Sequence, residues 1–74
     1  MSFYLVFESS NKLMRAKKIL EEEYKLRVVP MPPQIDESCG LAIKMEQRID
    51  PNYNKEIDLK EMYICDQKIF HKIK

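Results

Sequence analysis

Glycine occurs once in this 74-residue chain, tryptophan never and cysteine only twice. A single glycine excludes flexible low-complexity sequence, and no internal repeat is visible. Two cysteines cannot build the dense disulfide framework of a secreted mini-protein. No apolar run approaches the roughly 20 residues that cross a bilayer, so a membrane partner is not expected. The opening Met1-Ser2-Phe3-Tyr4-Leu5-Val6-Phe7 has no basic start and turns polar at Glu8, unlike a secretory leader. The compartment expected from these absences is reducing cytoplasm. Charge of one sign is lacking too: 13 basic and 12 acidic side chains leave a net +1, mixed along the chain. Such a sequence shows no run of cations against nucleic-acid phosphates, and no nucleic-acid partner is expected.

What remains is a short chain with enough apolar residues for one domain, residues 1–74. A domain this size buries only about 60% of its unfolded surface, so its core is marginal without help. A metal, a disulfide or a second copy of itself could supply that help, and exposed strand edges leave room for a homodimer.

Ser2 to Phe7 alternates aromatic and branched residues and is apolar on both faces, the mark of a central strand. Ser9 or Ser10 can cap a helix over Asn11 to Tyr24, where Leu13, Ala16, Leu20 and Tyr24 recur every three or four residues. Leu26 to Met31 reads as a second strand, and Pro30 places it at a sheet edge or at the strand's end. Pro32-Pro33 carries the chain out extended into the polar loop Gln34 to Gly40. Leu41 to Met45 alternates as a third strand. Asp50-Pro51 starts a weak helix of one or two turns through Glu56. Met62 to Cys65 and Lys68 to Ile73 form a hairpin around Asp66-Gln67. With no glycine there, a tight type I′ turn is not strongly specified. The expected fold is α+β: a small antiparallel or mixed sheet with one main helix on one face, ferredoxin-like, with an abbreviated second helix and a C-terminal hairpin.

Chemistry is sparse. Cys39, in Ser38-Cys39-Gly40, is the leading candidate, because a loop thiol can ionise and act as a nucleophile. Gly40 would remove a side chain beside the sulfur and permit a turn that points N–H groups at an anion. Asp36 and Glu37 oppose a thiolate, and no Lys, Arg or His adjoins it. The competing reading is a structural Cys39 in a non-catalytic interaction or regulatory module. Cys65 reads as a packed strand thiol, and a Cys39–Cys65 redox pair is a third alternative. Metal is not expected. If Ile64 faces Ile69, then His71 faces Met62 and Cys65 points to the other face, and no Cys-x-x-Cys pair is present. The carboxylates form no isolated acid/base pair, and no glycine-rich phosphate loop or cofactor motif occurs.

The succession Tyr4-Leu5-Val6-Phe7, Ser9-Ser10, Ala16, Leu20, Val29-Pro30-Met31-Pro32 and Ile35-Asp36-Glu37-Ser38-Cys39-Gly40-Leu41-Ala42-Ile43-Lys44 resembles the selenium/sulfur (Se/S) carrier-protein-like family of small domains from anaerobic bacteria. Its members carry Ile-x-x-Ser-Cys-Gly-hydrophobic-Ala after a proline-containing strand. The resemblance spans most of the chain, is loose from Gln47 to Lys60, and departs from the family's longer second helix at Pro51. It implies a non-enzymatic carrier that holds a persulfide or selenosulfide on Cys39, with Ser38 and Gly40 shaping the loop. The implied partners are a cysteine desulfurase-like donor and an acceptor enzyme.

Overall fold

The computed structural model describes residues 1–36, 40–49 and 56–73. Its elements are β1 (Ser2–Val6), α1 (Ser10–Leu20), β2 (Leu26–Pro30), β3 (Leu41–Met45), β4 (Glu61–Asp66) and β5 (Ile69–Lys72). The second helix expected from Asp50-Pro51 falls on residues 50–55, outside the described ones. One helix on a five-stranded sheet is the α+β class that the sequence implied.

The strand order is β2-β3-β1-β4-β5, and every neighbouring pair is antiparallel. β1 and β2 therefore run parallel with β3 between them, so the β1-α1-β2 connection skips one place in the sheet. β1 is central, as its two apolar faces required. β2 is an edge, as Pro30 required: its missing N–H costs no ladder bond there. The other edge is β5. Both edges carry cations, Lys25 and Arg27 beside β2 and Lys68 and Lys72 at β5, which discourages strand-to-strand pairing between copies.

Alternation divides the sheet into two faces. Phe3 and Leu5 of β1, Ile43 and Met45 of β3 and Met62 of β4 turn toward α1 and are at most 8% exposed. Leu13, Ala16 and Leu20 of α1 meet them, joined by Ile49, Ile57 and Leu59. The opposite face carries Arg27, Lys44, Tyr4, Tyr63 and Lys72.

α1 starts where the serines predicted. Ser9 is its cap, with its hydroxyl accepting from the Lys12 N–H at 3.2 Å. The helix stops at Leu20, four residues short of the Tyr24 that periodicity suggested. The physical reason is Glu21-Glu22-Glu23: carboxylates in a last turn oppose the helix dipole. They leave the helix instead, with Glu21 as the C-cap residue bonded to Lys17 at 2.9 Å and Tyr24 N–H closing on the Leu20 carbonyl at 2.8 Å.

The hairpin differs from expectation. Its turn is the two residues Gln67-Lys68, with φ of 51° and 67°, the positive values that type I′ demands of both central positions. The register follows: Ile64 pairs with His71 and Cys65 with Phe70, two residues away from the expected Ile64–Ile69 pairing. A slip of two preserves the faces, so His71 and Cys65 still point oppositely. Left-handed backbone costs a non-glycine residue about 1–2 kcal/mol. Gln67→Asn with Lys68→Gly is therefore expected to raise stability by about 1 kcal/mol or more. Urea unfolding measures this, and an unchanged or lower midpoint would contradict the turn geometry.

Candidate functional site

The loop that carries the Ser38-Cys39-Gly40 motif has a closed neck. β2 and β3 pair to their ends, Pro30 opposite Leu41, and the ladder continues one step further. There the Met31 N–H donates to the Gly40 carbonyl at 3.0 Å. Beyond Met31 the chain turns tightly: the N–H groups of Ile35 and Asp36 both donate to the Pro32 carbonyl, at 3.0 and 3.1 Å. The prolines therefore do not carry the chain out extended as expected: Pro32 opens the turn and Pro33 sits within it, where its fixed φ suits a turn's second position. Ser38 and Cys39 lie outside the described residues, and Gly40 is the described member of the motif.

Gly40 is exposed and opens into a cleft of about 440 Å³. The cleft gathers four pieces of sequence: the end of β1 with Val6, Phe7 and Glu8; the start of α1 with Ser9, Ser10 and Leu13; Met31, Asp36, Gly40 and Leu41 at the loop neck; and Lys60 before β4. Its rim carries two carboxylates, one ammonium and the N-terminus of an eleven-residue helix whose first turn holds no acidic residue. Ser9 caps that end through the Lys12 N–H, and with no acid in the first turn the positive end of the helix dipole lies beside the cleft. At its outer side Lys12 holds Asp58 at 2.9 Å and Glu8 at 3.6 Å. The Asp58 contact raises the Lys12 pKa and lowers that of Asp58.

Gly40 does not have a positive φ. What glycine supplies is bareness. A Cβ added at Gly40 would meet nothing within 4 Å among the described residues. A methyl group therefore fits at this position among the described residues.

Cys65 belongs elsewhere. It is half-buried on β4, opposite Ser2 of β1 and Phe70 of β5. Gly40 precedes β3 at the far end of the same sheet. Counting along the register from Ser2 to Leu41 puts roughly 20 Å between them at about 3.3 Å per residue. The Cys39–Cys65 redox pair falls on Cys39, which lies outside the described residues. His71 is exposed and lies on the face away from Cys65. Among the described residues no three His, Cys, Asp or Glu side chains converge as metal ligands, and no helix is long and apolar enough to cross a membrane.

Sequence reading did not find the cleft. Asp36 and Gly40 were visible as loop residues, but Ser9, Ser10 and Lys60 join them only through the folded sheet. The signal available was the short connection from β1 into a serine-capped helix, which brings a helix N-terminus to the end of the central strand.

With this geometry, comparison with known proteins is informative. The family described as "Putative Se/S carrier protein-like" matches residues 2–64. The chain belongs to this family. The match takes in the cleft and the Cys loop, while β5 of this Se/S-carrier-like chain lies beyond it. A curated protein of Methanocaldococcus jannaschii, named as uncharacterized, is 48% identical over 42 residues. That alignment covers 57% of this chain but only 21% of the relative. No solved structure matches the chain.

Proposed function

We propose that this domain is a carrier of sulfur or selenium, held as a persulfide or selenosulfide on Cys39 and passed between proteins. Family membership gives the chemical class. The observation that carries the reading is the bare, exposed Gly40 at the neck of a hydrogen-bonded loop, on the rim of a cleft that also receives the α1 N-terminus. A thiol must be ionised to accept sulfur, and a helix N-terminus favours an anion nearby. Glu8 and Asp36 on the same rim work against that, so the helix end and Lys60 must outweigh them.

The step is a thiolate–disulfide type exchange. The Cys39 thiolate attacks the terminal sulfur of a donor cysteine persulfide. A bond forms between Cys39 and that sulfur, the donor's sulfur–sulfur bond breaks, and its electron pair leaves on the donor thiolate. The reverse logic unloads the sulfur onto an acceptor enzyme. The domain generates no sulfur itself, so it is a carrier rather than an enzyme, with a cysteine desulfurase-like donor.

Alkylation of the folded protein tests the accessible thiol. With iodoacetamide in limiting amounts and labelled peptides read by mass, the Cys39 peptide should modify well ahead of the half-buried Cys65 peptide. A Cys39 that reacts only as fast as the chain unfolds would leave the structural-cysteine interaction module as the better reading.

A further inference from the structure

We propose that the sheet face opposite α1 is a binding strip for short single-stranded nucleic acid, carried by the cross-strand row Arg27, Lys44, Tyr4, Tyr63 and Lys72. The register aligns these five residues one per strand: Arg27 pairs with Lys44, Lys44 with Tyr4, Tyr4 with Tyr63, and Tyr63 with Lys72. At about 4.8 Å between strands the row spans roughly 19 Å, the reach of a few nucleotides.

Two observations specify the ligand. The first is a central pair of rings, Tyr4 and Tyr63, flanked by cations at both ends, the two kinds of group that single-strand binders combine: bases stack on aromatic faces and phosphates meet Lys and Arg. Phe70 packs against Tyr4 with ring centroids 5.2 Å apart, widening the platform, and the Lys44 ammonium stands 6.0 Å above the Tyr4 ring. The second is charge. Arg27 and Lys44 make no ion pair among the described residues and carry the row's positive charge, while Lys72 is paired with Glu61 at 2.9 Å, which also accepts from the Tyr63 hydroxyl at 3.4 Å. Burial first, and then the Glu61 charge, push the Tyr63 pKa up, so its ring stays a neutral phenol. The linear sequence shows no basic run because the sheet assembles this one from four separate segments.

Fluorescence anisotropy with a labelled oligouridylate tests the strip on the full chain. At low salt the expected dissociation constant is about 10⁻⁵ M, and log K should fall against log salt with a slope of about −1.4 to −2 for two to three phosphate contacts. Arg27→Gln with Lys44→Gln should remove most of that slope. Tyr63→Leu should weaken binding about tenfold or more through lost stacking, and Tyr63→Phe should retain it. Equal binding of oligothymidylate supports the same strip, since bases and phosphates carry it. Cys39→Ser should bind as wild type, which keeps this test separate from sulfur transfer. Three results would overturn the assignment: no binding at low salt, inorganic polyphosphate binding as tightly as the oligonucleotide, or a loss from Arg15→Gln with Lys18→Gln on α1 as large as from the row.

Discussion

Incubated with a cysteine desulfurase and free cysteine, the wild-type chain is expected to gain one sulfur atom, while Cys39→Ser gains none and Cys65→Ser loads as wild type. Intact mass reads all three. The contrast is all-or-none because no second thiol can substitute: Cys65 lies on β4, at the end of the sheet opposite Gly40. A finer variant separates access from folding. At Gly40 an added methyl meets nothing within 4 Å among the described residues, and the backbone is not left-handed. Gly40→Ala should therefore raise stability by about 0.4–1 kcal/mol through the unfolded state. If glycine is present for access, the same variant should load more slowly from a protein donor, and Gly40→Val more slowly still. Loading of Cys39→Ser, or wild-type loading rates in Gly40→Val, would remove the basis of the carrier reading.

How far the sequence disclosed this depends on how local each feature is. The centrality of β1 was legible in apolar residues at odd and even positions alike, although only the Phe3–Leu5 face is covered by α1 and Tyr4 on the other face is half-buried. The edge position of β2 was legible in Pro30. α1 was legible from Ser9 to Leu20, and its overshoot to Tyr24 came from setting the packing of the apolar face above the dipole cost of the late glutamates. The hairpin's faces were legible although its register was not. Alternation fixes register only modulo two, and Gln67-Lys68 gives no turn signal of its own. The Cys loop was marked by its motif, although residues 37–39 lie outside the described ones. The cleft and the cross-strand row were beyond sequence reading for one reason: each joins segments far apart in the chain, which only the pairing of the strands, with β1 at the centre, brings together.

That pairing makes β1 the point where the fold is most vulnerable, and Leu5→Ala the substitution with the largest expected cost. Leu5 is 0% exposed at the centre of the sheet, opposite Ile43 on one side and Met62 on the other, within the cluster that Leu13, Ala16 and Leu20 of α1 close. Truncating such a leucine removes its transfer energy and leaves a cavity, about 2–5 kcal/mol in total. At about 0.05–0.15 kcal/mol per residue, a chain of 74 residues has roughly 4–11 kcal/mol to lose. The urea midpoint should therefore drop by about a fifth at least, and by about half or more if the domain sits at the lower end of that range. Met14→Ala is the matched control: Met14 is 48% exposed on α1, outside the core, and its removal should shift stability by no more than about 0.5 kcal/mol. Comparable midpoint shifts from the two would mean that β1 is not the strand on which both halves of the sheet depend.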